Sequence, residues 1–162
     1  MKRLLFARVA AVACLSMLTL LPAQGEEAPA SLLWRDVPSP SQDPPLPPRK
    51  PWVIRDREIV FNPQLLAILK DASARPHPPL FIELFQARPY ELDVSATVSR
   101  LSDLSTIKGT IKQSAHATWS LVINGSIVSG TFQIGDRLYK IEHVQNGRHR
   151  LSEVDPAKMP AE

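Results

Sequence analysis

At 162 residues, with 19 Lys and Arg against 16 Asp and Glu, the chain has the length of one domain and a formal charge of +3. Lys2, Arg3 and Arg8 account for the whole excess: 19 less these three leaves 16 basic residues, scattered singly, against 16 acidic ones. No clustered basic face remains for nucleic acid or an anionic membrane, and a lone cysteine, Cys14, excludes an intrachain disulfide.

Lys2, Arg3 and Arg8 precede an apolar run, Val9 to Leu21, broken only by Ser16 and Thr19, and Pro22 leads into Ala23-Gln24-Gly25. This is the three-part pattern of a cleavable secretory signal over residues 1–25, with Ala28-Pro29-Ala30 as a second cleavage candidate. The run is shorter than the roughly 20 apolar residues that span a bilayer, so no stable membrane insertion is expected after signal removal. Cys14 lies inside the run, which stays apolar beyond it rather than turning polar as a lipoprotein would. The expected compartment is the periplasm or the medium, and the expected mature chain has no thiol.

Residues 26–51 follow as a Pro-rich extended arm, with eight prolines between 29 and 51. Proline lacks an N–H and fixes φ, so the arm is read as partly polyproline II, or as a plain spacer. Leu32, Leu33 and Trp34 form an apolar knot in it that needs a surface, its own domain's or a partner's.

From Trp52 the pattern turns to alternation. Glu58 to Phe61 reads as a strand, and Asn62-Pro63 as a capped start for a short helix over 63–70. Leu80 to Phe85 and Tyr90 to Leu101 are strands, the second with strict period two. Further strands cover 105–112, 118–123, 126–134, 138–144 and 149–154. Asn124-Gly125 and Asn146-Gly147 are read as type I′ hairpin turns, and Gly135-Asp136 as a third turn. The expected fold is mainly β: an antiparallel meander of about seven strands forming a small sandwich or barrel over 52–155, followed by a C-terminal tail, 156–162.

Catalytic sets are missing from the sequence: no His-Glu-x-x-His, no Gly-x-Ser-x-Gly and no phosphate-binding glycine loop. Glu83, Glu91 and Asp93 have nothing that fixes a carboxylate separation. His77, His116, His143 and His149 fall on separate segments; Glu142-His143 and His149, paired across one hairpin, bring too few donors for zinc. The chain is read as a non-enzyme without a metal or cofactor, whose work is binding another protein.

Leu80-Phe81-Ile82-Glu83-Leu84-Phe85, Val94 to Val98, the Gly109 strand and Trp119 to Gly125 with Gly130 form an ordered series. It continues through Tyr139-Lys140-Ile141, Asn146-Gly147-Arg148-His149 and Leu151 to Pro156. In that order the pieces resemble the N-terminal prodomain of bacterial reprolysin-like metzincin zinc proteases, starting near Val53 to Arg57 and covering about two-thirds of the chain. The resemblance implies a partner, a secreted zinc metalloprotease of the metzincin class. With no protease motif after Glu153-Val154-Asp155, it further implies an inhibitor or secretion chaperone acting in trans. Many such prodomains silence zinc with a cysteine thiolate; here a carboxylate, an imidazole, a carbonyl, a free α-amine or steric cover must serve. Two extended segments suit the cleft: the arm, with Leu32, Leu33, Trp34 and Trp52, and the tail, with Asp155 and Glu162. The alternative is a small envelope β-module that binds a ligand or scaffolds an assembly; a cavity would favour it and a filled core would disfavour it.

Overall fold

A computed structural model describes residues 31–37, 47–86, 88–100, 103–112 and 114–160. The proposed signal segment therefore lies outside the described residues, as does Glu162. Nine strands form one antiparallel sheet: β1 (Trp34–Asp36), β2 (Val53–Phe61), β3 (Leu80–Glu83), β4 (Pro89–Arg100), β5 (Leu104–Ile111), β6 (Ser114–Asn124), β7 (Ile127–Ile134), β8 (Arg137–Gln145) and β9 (Arg148–Val154). Their order across the sheet is β1-β2-β9-β8-β7-β6-β5-β4-β3. The two ends meet where Leu32 bridges Phe81 in parallel: Leu33 N–H donates to Phe81 O at 2.8 Å, and Phe81 N–H donates to Ser31 O at 3.0 Å. The sheet thus closes on itself as a barrel, which leaves few free strand edges.

Three two-residue turns set the register of β6 to β9. Asn146 (φ 52°) and Gly147 (φ 72°) both take positive φ between the partners Gln145 and Arg148, as type I′ requires. The first hairpin differs from expectation. Asn124 pairs with Ile127, so Gly125 and Ser126 are the central residues, and only Gly125 (φ 60°) is positive, the φ pattern of type II′. Gly135 (φ 58°), between the partners Ile134 and Arg137, repeats that pattern.

The interior is filled. Trp34 meets Phe61 edge-on at 5.5 Å and Phe132 at 5.6 Å, and Phe132 stacks on Trp119 at 6.1 Å. These rings, with Ile59, Ile107, Leu121, Ile123, Ile141 and Leu151, make one core. Helix α1 (Pro63–Lys70) starts where Asn62 Oδ1 accepts the N–H groups of Gln64 and Leu65. Its buried Leu65, Leu66 and Leu69 pack toward β4 and β5. Its last carbonyls are taken by side chains of those strands: Ser99 Oγ donates to Lys70 O at 2.7 Å, and Thr97 Oγ1 to Leu69 O at 3.4 Å.

The arm is not a free spacer. Leu33 (0% exposed) and Trp34 (2%) belong to the core, and Leu32 is half-buried at the closing bridge. The partners that the knot lacks locally are β2 and β3, some 25 to 50 positions away in the chain. Leu33 and Trp34 are therefore corrected from candidate partner contacts to structural residues, and the β domain begins at residue 31 rather than at Trp52.

Candidate protein-binding surface

Among the expected contact residues, the structure brings Trp52 and Asp155 together. Asp155 N–H donates to Trp52 O at 2.8 Å, where β2 begins and β9 ends. Trp52 is half-buried, with Lys50 Nζ 5.7 Å from its ring centroid. Asp155 Oδ1 accepts from Ala157 N–H at 3.1 Å and caps the short 3-10 turn Pro156–Lys158. The hydrogen bond from Lys158 holds the Asp155 carboxyl below the usual carboxylate range.

The outer face of the barrel divides into two halves of opposite chemistry. On β2, β9 and β8 it is charged and covered. Arg148 Nη1 pairs with Glu58 Oε2 at 2.6 Å, and Arg150 Nε lies 3.4 Å from Asp56 Oδ2. Residues 47–50 lie across this half: Arg150 donates to Pro47 O, Arg49 pairs with Asp56, and Lys50 pairs with Glu142 at 3.1 Å. All seven residues of β9 are consequently buried, on both faces of the strand.

Across the middle of β4 to β7 the outer face is open and sparsely charged, with Asp93 and Arg100 toward the two ends of β4. Cross-strand partners line up in rows: Val98, Thr106, Val122 and Ser129 in one, Ala96, Lys108, Ser120 and Thr131 in the next. Val98 (48% exposed), Val122 (40%) and Ile127 (47%) are three of the four large apolar side chains left exposed among the described residues. Ser120 Oγ and Thr131 Oγ1 are hydrogen-bonded at 3.2 Å, and Lys108 is the one charge in the two rows. A shallow depression of about 410 Å³ opens among Ser95, Lys108, Thr118, Ser120, Thr131 and Gln133. Interfaces between proteins are depleted of charge at their centres, so this half costs least to desolvate. The signal for it was present in the sequence: β5 to β7 put Ser and Thr where a solvated sheet face commonly carries Lys and Glu.

The two imidazoles do approach one another, with the rings of His143 and His149 5.0 Å apart. Glu142 instead turns outward to Lys50, so the set considered for zinc is not assembled. No three His, Cys, Asp or Glu among the described residues are placed to hold a metal ion. His149 is 1% exposed, and burial, then the neighbouring His143, push its imidazole down to about 4.

Comparison with family profiles and with curated proteins gives no match. Among solved structures, a chain of a chaperone–substrate complex superposes with a TM-score of 0.55 at 9% identity. The superposition covers 82% of this chain and 93% of the other. At that identity the likeness is one of fold.

Proposed function

We propose that this is an exported protein that binds a secreted metzincin metalloprotease and holds it inactive, a prodomain acting in trans. The observation that carries the reading is the contrast between lumen and surface. Trp34, Phe132 and Trp119 fill the barrel, so no ligand shares that space, while the β4–β7 face leaves Val98, Val122 and Ile127 open beside neutral hydroxyls. Such a molecule works by what it presents outward. The segments that resemble the metzincin prodomain run from β2 to β9 and so include the strands of the open face. A barrel of this fold in a chaperone–substrate complex suits a second role, assisting the protease during folding or secretion.

In this reading the rim where Asp155 N–H meets Trp52 O enters the protease cleft. The envelope β-module reading is disfavoured by the same filled lumen. Purified mature protein is tested against a metzincin secreted by the same organism, by peptide cleavage and by co-elution. Stoichiometric inhibition by the wild type, lost on Val122→Arg, supports the reading. Absence of both co-elution and inhibition with every secreted metzincin overturns it.

A further inference from the structure

Strand β4 is twelve residues long, but its neighbour β3 is only four, and the mismatch leaves part of β4 without a strand partner. Glu91 O accepts Lys112 N–H at 3.0 Å, so Glu91 and Asp93 turn their backbone groups toward β5. In an antiparallel ladder these directions alternate, so Leu92 and Val94 turn toward β3. Leu92 finds Leu80 there, the first residue of β3, and Val94 has no strand beside it. Among the described residues its carbonyl receives only Arg75 Nη1, at 3.4 Å, beyond ordinary hydrogen-bond length.

The segment that runs past this edge is Arg75-Pro76-His77-Pro78-Pro79, and its three prolines have no N–H to offer. Between that segment and the strand lies a cleft of about 330 Å³, lined by Arg75, His77, Leu92, Asp93, Val94 and Lys112 among others. Its charges are mixed. Lys112 is held by Glu91 at 2.5 Å, while Arg75 and Asp93 line the opening and, among the described residues, make no ion pair. A cleft of both signs is a poor site for a simple anion or cation. A free strand edge is a template for another extended backbone.

We propose that this cleft binds an extended polypeptide segment, which adds to β4 beside Val94 as a short continuation of β3. Its backbone N–H completes the Val94 carbonyl. Its side chains meet Arg75 and Asp93 with an acidic and a basic residue respectively. The volume is at the lower end for ligand sites, so it holds a short stretch while the rest of the segment runs over the surface. This site borders the β4–β7 face, sharing the row of Asp93, Thr110, Thr118 and Gln133, and does not depend on the identity of the protease.

The test is amide NMR of the mature chain with a pool of capped heptapeptides, alternately Val or Thr and randomised. Expected are shifts and slowed exchange confined to the amides of Arg75, His77 and residues 91–96. The same pool with N-methylated backbones should bind at least about tenfold more weakly, the equivalent of one lost hydrogen bond to a carbonyl. The exposed double variant Arg75→Glu, Asp93→Lys, checked for an unchanged melting curve, should select peptides of inverted charge order. No shift at millimolar peptide overturns the proposal, as does equal binding by the N-methylated pool or unchanged selection by the double variant.

Discussion

The Nε2 atom of His149, on β9, accepts the backbone N–H of Val128, on β7, at 3.0 Å inside the barrel. β8 lies between these two strands, but its ladder with β7 begins only at Gly130. The imidazole therefore serves as the hydrogen-bond partner that Val128 lacks. A protonated ring has no lone pair to give, so protonation and this hydrogen bond exclude one another.

The consequence is an acid-sensitive fold. His149 titrates at about 4 when folded, against an ordinary 6.5, so the unfolded chain binds the extra proton between those values. Stability is full above about pH 6.5 and falls as pH drops toward 4, by roughly 2–3 kcal/mol for this group. His143 is the titratable neighbour at 5.0 Å, and its charge would act in the same direction. Urea midpoints measured from pH 4 to 7 should show the slope, and His149→Gln should flatten it while lowering stability at pH 7. An equal slope in the variant removes His149 as its origin.

Trp34 should be indispensable to folding although it lies before the alternating region. It is buried against Phe61 and Phe132, and its Nε1 donates to Glu83 O at 3.0 Å. Trp34→Ala should cost about 3–5 kcal/mol, read from chemical denaturation. Removing residues 26–51 should leave no cooperative unfolding transition. The strand-by-strand pattern beyond Trp52 suggests the opposite, so a folded truncation would restore the spacer interpretation of the arm.

The covered half of the outer face makes a different prediction. Asp56 and Arg150 side chains are each 6% exposed. Asp56→Ala strands a buried guanidinium and should cost about 3–5 kcal/mol, whereas replacing both by apolar residues of like volume should cost little or stabilise. Thermal melts of the single and double variants separate these outcomes. Equal losses would mean that the pair itself supplies the stability.

On the bare half, Val122→Arg and Ile127→Asp should leave stability within about 0.5 kcal/mol of the parent, because both sites are exposed. Inhibition of the protease should weaken tenfold or more, the loss of a central contact of about 1.4 kcal/mol. Variants that melt as the parent and inhibit as the parent would move the interface elsewhere.

Local chemistry was readable in the sequence where neighbours in the chain are neighbours in space. Asn62-Pro63 starts α1, and Asn146-Gly147 makes its turn, because each depends on a few adjacent residues. The one-residue shift at Gly125 escaped because the pairing of Asn124 with Ile127, not the Asn-Gly dipeptide, decides which residues are central. β1 and the 47–50 segment were illegible for a stronger reason. A three-residue strand has no period to detect, and proline-rich sequence looks the same whether it lies on a surface or in solvent. Trp52 and Asp155 were singled out separately, and only the β2–β9 ladder makes them neighbours.

That ladder also dictates when the molecule becomes whole. Arg55 and Glu153, 98 positions apart, are bonded at 2.5 Å, so an early strand waits for the last one. Closing so long a loop carries a large entropic cost before any contact repays it, and such topologies fold slowly. A chain emerging N-terminus first exposes β2 with one side unmatched until β9 appears, and nothing shorter than the full circuit of strands can seal the ring. During that interval β2 is an open edge for other extended chains, and its Arg55, Asp56, Arg57 and Glu58 are the charges that discourage them.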